Sequence, residues 1–118
     1  MSMERETTCC FTGHRPEKLP WGTNEEDGRC LALKESIARE LEGLYQRGYR
    51  HFISGMARGA DFYFVEAALA LRREHPDVTV EGAVPCQSQA DRWPEPERAR
   101  WRAALDACDL ETMVQQNY

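Results

Sequence analysis

Residues 52–64, FISGMARGADFYF, contain the pattern that decides the fold. A short apolar run leads into two glycines, an arginine and an aspartate, and a helical pattern follows at once. A strand, a glycine-containing turn and a helix in this order are typical of a βαβ unit. The turn has two interpretations at this point, a phosphate-binding loop or a tight connection that binds nothing.

Strand and helix patterns alternate on both sides of this stretch. Strands are predicted at residues 7–13, 49–54, 78–84 and 110–116. Helices are predicted at residues 28–49 and 60–75, and a third is predicted within residues 88–108, starting near Pro94. Asp27 is expected to cap the first helix and Gly48 to end it, and Pro76 is expected to stop the second. The alternation predicts an α/β fold with a mostly parallel sheet of about four strands and helices on both faces, which makes three layers.

Composition and charge exclude several classes of protein. A chain of 118 residues with 42% hydrophobic residues suits one globular domain, residues 1–118. The net charge of −5 argues against a general nucleic-acid binder. The sequence has no apolar run of membrane-spanning length, and its first residues lack the apolar middle of a secretory signal. Five cysteines fit no zinc pattern, so no metal site is predicted, and reduced thiols in a cytoplasmic protein are expected.

The turn after the second predicted strand is the first candidate site. Ligands of open α/β sheets bind beyond the carboxyl ends of the strands, and a helix start offers unpaired N–H groups to an anion. Gly55 and Gly59 would let the backbone approach a phosphate, and Arg58 would add a charged contact. Asp61 could accept a hydrogen bond from a ribose hydroxyl, but a helix cap is the preferred interpretation of this residue.

The segment after the first predicted strand is the second candidate site. Gly13 ends that strand, and the basic side chains of His14 and Arg15 follow it. Arg15 is interpreted as a phosphate ligand because arginine binds phosphate through two parallel hydrogen bonds. Trp21 could stack on a base, but packing against the core is preferred for it.

The segment after the third predicted strand offers polar side chains that could contact a base or sugar, although a solvated loop is the preferred interpretation: Gln87, Ser88, Gln89 and Arg92. Trp93 and Trp101 are expected to pack the third helix on the sheet. The charged stretch ERARWR, residues 97–102, is interpreted as a solvated helix face. Cys86 is a possible nucleophile, but no partner base can be named for it.

Two motifs resemble those of a known family. CCFTGHRPEKLPWG at residues 9–22, together with ISGMARGAD at residues 53–61, resembles the YpsA-like family of the SLOG superfamily. The resemblance extends from Cys9 to Tyr118. The superfamily also contains the DNA-processing protein A domain and the "lonely guy" phosphoribohydrolases. The resemblance implies a Rossmann-like three-layer αβα sandwich that holds a nucleotide or a nucleotide-derived ligand and needs no other cofactor.

The resemblance also implies site residues. Its motifs map onto two groups of positions that are expected to bind the ligand and its phosphate: Gly13, His14 and Arg15 after the first strand, and Ser54, Gly55, Met56, Arg58, Gly59, Ala60 and Asp61 after the second. Members of the family usually continue with a further helix, a strand and a second glycine-rich segment. The present sequence has no counterpart of that part, so catalytic residues cannot be carried over.

Three functions follow from these observations, in order of preference. The first is a nucleotide-binding module, for instance a sensor. The second is an enzyme that hydrolyses the N-glycosidic bond of a nucleoside 5′-monophosphate, with His14, Glu17 and Asp61 as candidate acids or bases. The third is single-stranded DNA binding, which the negative net charge disfavours. A sheet that lacks its last strands exposes an edge and apolar surface, so a homo-oligomer is also expected.

Overall fold

The computed structural model describes residues 8–11, 19–22, 24–56, 59–84 and 93–113. Four strands and three helices alternate along the chain. Their bounds are β1 Thr8–Phe11, α1 Gly28–Gln46, β2 His51–Ser54, α2 Ala60–Glu74, β3 Thr79–Val84, α3 Glu95–Ala107 and β4 Leu110–Met113. The predicted order of elements is therefore confirmed.

The four strands form one sheet in the order β1-β2-β3-β4, and every neighbouring pair is parallel. The registers align Phe11 with Ser54 and Ser54 with Gly82, so the strands end close to one edge of the sheet. This edge, at the carboxyl ends of the strands, is called the carboxyl edge below. The mostly parallel α/β architecture expected from the sequence is confirmed.

The three described helices lie in a single layer. α1 packs on α2, and α2 packs on α3, which is impossible for helices on opposite faces of a sheet. The strand order gives the reason. Each crossover moves the chain one strand in the same direction, and crossovers of one hand then place every helix on the same face. The expectation of helices on both faces is therefore wrong for these three helices, which give two layers with the sheet.

Local signals in the sequence set the helix ends. Asp27 caps α1, and its side chain accepts a hydrogen bond from the backbone N–H of Arg29. Gly48 follows the end of α1 with a φ of 106°, a left-handed conformation that glycine adopts without strain. Pro94 occupies the N-cap of α3, as expected. No helix in the described ranges is both long and apolar enough to cross a membrane.

The core lies between the sheet and the helical layer. Alternate residues of the central strands face the helices and are almost fully buried: Phe52 in β2, and Val80 and Val84 in β3. Gly82 of β3 is part of this alternation. A Cβ atom at Gly82 would lie 2.5 Å from Cδ1 of Leu105 in α3 and 3.3 Å from Cγ of Met56. A glycine in this strand therefore allows α3 to approach the sheet closely.

Candidate functional site

The turn between β2 and α2 lies at the carboxyl edge, as the sequence predicts. Ser54 ends β2, and α2 begins at Ala60. Two residues of the turn have a positive φ, 59° at Met56 and 85° at Gly59. The latter, combined with a ψ of −130°, is a conformation open essentially to glycine alone. Positive φ at Met56 is uncommon for a residue with a side chain, so the surrounding structure must hold this turn in place.

Ser54 is the residue that fixes the turn. Its Oγ accepts a hydrogen bond from the backbone N–H of Met56 at 3.1 Å and donates one to the carbonyl oxygen of Asp61 at 3.3 Å. Ser54 and Met56 are both fully buried. Their side chains therefore support the turn from its buried side. They do not face the solvent, from which a ligand would approach.

The start of α2 differs in detail from the prediction. Gly59, not Asp61, occupies the N-cap, and its carbonyl oxygen accepts hydrogen bonds from Phe62 and Tyr63. Asp61 lies in the first helical turn and is 3% exposed. The interpretation of Asp61 as the helix cap is thus wrong, because α2 begins at Ala60 and its N-cap lies two residues before Asp61. Its side chain belongs to the first turn of α2, at the N-terminal end of the helix dipole.

Aromatic contacts bring the neighbouring strand ends onto the first two turns of α2. Phe11, the last residue of β1, stacks on Phe64 with ring centroids 4.7 Å apart. The indole Nε1–H of Trp21 donates a hydrogen bond to the hydroxyl of Tyr63 at 3.1 Å. Phe11 and Trp21, which lie on either side of residues 12–18, therefore both contact the first two turns of α2. Trp21 also packs against the core, which agrees with the preferred interpretation of this residue.

Burial also determines the protonation of the Tyr63 hydroxyl that accepts the hydrogen bond from Trp21. Tyr63 is 3% exposed. Burial raises the pKa of Tyr63 to about 12, with a contribution from its hydrogen bond to Cys30. The phenol is therefore protonated at neutral pH, and its oxygen can accept the Trp21 hydrogen bond without becoming a charged group in the core.

Trp93, which lies directly before α3, also contacts the start of α2. The ring of Trp93 meets that of Phe62 at 5.9 Å and 85°, and that of Trp101 at 6.3 Å and 85°. Trp101 is buried in the core, as expected for a residue that packs α3 on the sheet. Trp93 instead contacts α2 and remains half-buried. The first turn of α2 is therefore contacted by both Trp21 and Trp93, from the first and third predicted loop regions.

Several predicted site residues lie outside the described residues. They are Gly13, His14, Arg15 and Glu17 after β1, Arg58 in the central turn, and Cys86, Gln87, Ser88, Gln89 and Arg92 after β3. Their roles stay predictions. The described members of the predicted site are Ser54, Gly55, Met56, Gly59, Ala60 and Asp61, which together form the turn and the first turn of α2.

A charged cluster that the sequence reading missed clamps the three helices together beside this turn. Arg100 of α3 binds Glu66 of α2 at 2.7 Å and Glu25, which precedes α1, at 2.9 Å. Lys34 of α1 also binds Glu25, at 2.7 Å. The guanidinium lies 5.1 Å from the centre of the Phe62 ring.

The hydrogen bond to Glu66 is the largest influence that raises the pKa of Arg100, which stays charged. The interpretation of residues 97–102 as a solvated face is wrong for Arg100, which is half-buried and bonded to two carboxylates. The available signal was the spacing of Arg100 four residues before Ala104, which faces the core.

A second group of polar side chains lies at the opposite end of the helices. Atoms of Glu42, Glu74 and His75 come within 4.8 Å of one another. His75 Nε2 lies 3.1 Å from Oε1 of Glu42, and the His75 ring stacks on Tyr45 with centroids 3.8 Å apart. These contacts give His75 a structural role in joining α1 to the end of α2.

Comparison with known proteins extends the resemblance seen in the sequence. A family model named YpsA, described as the YspA SLOG family, matches residues 9–118. The chain is 29% identical over 105 residues to the UPF0398 protein YpsA of Bacillus subtilis, covering 88% of the chain and 57% of that protein.

A UPF0398 protein of Lacticaseibacillus casei is 28% identical over 106 residues, covering 89% of the chain and 54% of the relative. The chain thus spans about half the length of these curated relatives. The family model covers nearly the whole chain, and its residues include both motifs that carry the resemblance. The chain therefore belongs to the YspA SLOG family.

Proposed function

We propose that this chain binds a nucleotide or a nucleotide derivative, with a phosphate group at the turn between β2 and α2. One observation carries the proposal: a turn with two positive φ angles leads directly into the first turn of α2 at the carboxyl edge of a parallel sheet. The first N–H groups of a helix and the positive end of its dipole favour an anion at this place. Membership of the SLOG family supports the same ligand class.

The way in which the turn is held supports binding by the backbone. Ser54 fixes Met56 and Asp61 from the buried side, so the turn keeps its shape without a ligand. A preformed anion site loses less conformational entropy on binding than one that must become ordered. The side chains of Ser54 and Met56 then act by positioning the backbone, while Arg58 supplies the charged contact to the phosphate.

The proposal is tested by thermal shift with a panel of AMP, ADP, ADP-ribose and NAD. The Arg58→Ala variant runs beside the parent protein. The loss of one charged hydrogen bond weakens binding by about 1.5–3 kcal/mol, which is roughly a 10-fold to 150-fold change in Kd. Arg39→Ala is the matched control because Arg39 is exposed on α1 and its loss changes the net charge equally.

A ligand that stabilises the parent and Arg39→Ala but not Arg58→Ala supports the proposal. A cooperative melt that no ligand shifts contradicts it, and an equal shift in all three proteins contradicts the role of Arg58. Chromatography of the same mixtures for released base tests the alternative of N-glycosidic hydrolysis. Intact ligand after prolonged incubation leaves a binding module or a sensor as the function.

A further inference from the structure

The surroundings of Trp93 point to the part of the ligand beyond the phosphate. Trp93 lies directly before α3 and contacts Phe62, in the first turn of α2, at a ring distance of 5.9 Å. A group held against this indole would therefore lie near the first turn of α2, at whose start the phosphate is proposed to bind. A nucleotide spans such a distance because its sugar separates the base from the phosphate.

The two aromatic neighbours of Trp93 leave room for stacking. Both the Phe62 and the Trp101 rings meet Trp93 at 85°, so neither lies parallel to the indole. Phe62 and Trp101 are buried, whereas Trp93 is half-buried. The two buried rings hold the indole in place, and its exposed part can offer a flat apolar surface to a second ring.

Trp21, the other half-buried tryptophan at this edge, is less suited to that role. Its Nε1–H donates to the Tyr63 hydroxyl, and this bond fixes the ring against α2. For Trp93 no such hydrogen bond is found among the described residues. The difference makes Trp21 a matched control for Trp93.

A second feature near Trp93 is a buried hydrogen-bond donor on the neighbouring Trp101. The Nε1 atom of Trp101 is buried and has no hydrogen-bond partner among the described residues. Its ring centre lies 6.3 Å from that of Trp93. Buried polar groups in native proteins nearly always have a partner, so an orphaned one beside a candidate site points to a ligand atom as its acceptor.

We propose that the aromatic wall of Trp93 and Trp101 binds the base of the nucleotide, with Trp93 as the stacking surface. This inference rests on the proposed function and narrows its ligand class. The ligand carries an aromatic ring as well as a phosphate, so a nucleotide binds and a simple sugar phosphate binds much more weakly. Stacking of one base on an aromatic side chain predicts a preference of about 10-fold for AMP over ribose 5-phosphate.

Calorimetric titration of three proteins with AMP and with ribose 5-phosphate tests this inference. In Trp93→Leu the Kd for AMP is expected to rise to that for ribose 5-phosphate, while the Kd for ribose 5-phosphate stays unchanged. Trp21→Leu is expected to keep the preference for AMP. Trp93→Phe retains an aromatic ring and is expected to restore most of the preference, which guards against a misfolded leucine variant.

The outcomes separate the two proposals. If the parent binds neither compound nor any nucleotide of the panel, the proposed function fails and the inference fails with it. If the parent prefers AMP and a folded Trp93→Leu keeps that preference, only the inference is overturned. Fluorescence gives an independent reading: in Trp21→Phe, which retains Trp93 and Trp101, AMP is expected to quench the emission and ribose 5-phosphate is not.

Discussion

The two faces of the sheet consist of alternate residues of the same strands, yet different interactions stabilise them. The face under the helices is apolar and buried, with Phe52, Val80 and Val84 each at most 1% exposed. None of the three described helices covers the other face, which is called the open face below. Its residues in the central strands include His51, Thr79 and Glu81.

A hydrogen-bonded cluster ties three strands together on the open face. His51 Nδ1 lies 2.6 Å from Oγ1 of Thr79, and His51 Nε2 lies 2.8 Å from Oε1 of Glu81. The hydroxyl of Thr112 in β4 donates to the other oxygen of Glu81. His51 is only 2% exposed, so this cluster replaces apolar packing at the centre of the open face. The comparison teaches that one alternating pattern can serve a core on one side and polar cross-links on the other.

The largest expected effect comes from truncating the helix-covered face. Phe52→Ala should lower the free energy of unfolding by about 3–5 kcal/mol, because it removes a fully buried ring and leaves a cavity. The adjacent Ile53 points to the open face and is partly exposed, so Ile53→Ala should cost only about 1–2 kcal/mol. Denaturant unfolding of both variants measures the difference. Equal losses would mean that the open face is covered as fully as the other.

The next effect concerns the close approach of α3 to the sheet. Gly82→Ala should cost about 1–3 kcal/mol, since its new methyl group would lie 2.5 Å from Leu105, which is itself buried. Gly43→Ala is the control of opposite sign. Gly43 lies inside α1 with open space around it, so alanine there should stabilise the helix by about 0.5–1 kcal/mol. A neutral Gly82→Ala would show that α3 can move away from β3 at little cost.

The open face should make stability depend on pH through Glu81. The hydrogen bond from Thr112 and the contact with His51 lower the pKa of Glu81 below its ordinary value of 4.5. The unfolded chain then binds this proton more readily, so the stabilisation is present above pH 4.5 and is lost as the pH falls through the lower folded pKa. Glu81→Gln should cost about 1–2 kcal/mol at neutral pH.

Unfolding curves of the parent and of Glu81→Gln, recorded between about pH 6 and pH 3, measure this dependence. The difference in stability between the two proteins should shrink as the solution becomes more acidic. Other carboxylates, such as Asp109, titrate in both proteins and cancel in the difference. A difference that stays constant over the whole range would exclude Glu81 as the titrating group.

The smallest effect on stability is expected from a substitution at the rim of the open face, where a change in self-association is expected instead. Leu110 of β4 is 49% exposed and aligns with Glu81 and Ile53 on that face. The expected self-association of the chain should weaken in Leu110→Lys. Leu31→Lys is the matched control, because Leu31 is 51% exposed but lies on α1. Size-exclusion chromatography with light scattering measures the mass, and a parent that is monomeric at micromolar concentration would refute the expectation.

Much of the fold was predictable because its signals are local. Asp27, Gly48 and Pro94 mark helix ends through backbone conformations that depend on few neighbours. The position of the turn from Ser54 to Ala60 followed from the same kind of signal. The functions of Arg100 and Glu81 were not predictable, since each acts on residues distant in the sequence. Arg100 meets Glu25 across 75 positions, and Glu81 meets Thr112 across 31.

The sequence by itself determined the alternation of strands and helices, the βαβ pattern around residues 52–64 and the family to which the chain is similar. Hydrophobic periodicity and turn residues encode these features within short windows. Only the tertiary structure decided the strand order, and with it the single helical layer and the open face. Strand order depends on contacts between segments that no local pattern specifies. The same contacts bring Trp21 and Trp93 to the adjacent residues Tyr63 and Phe62 in the first turn of α2.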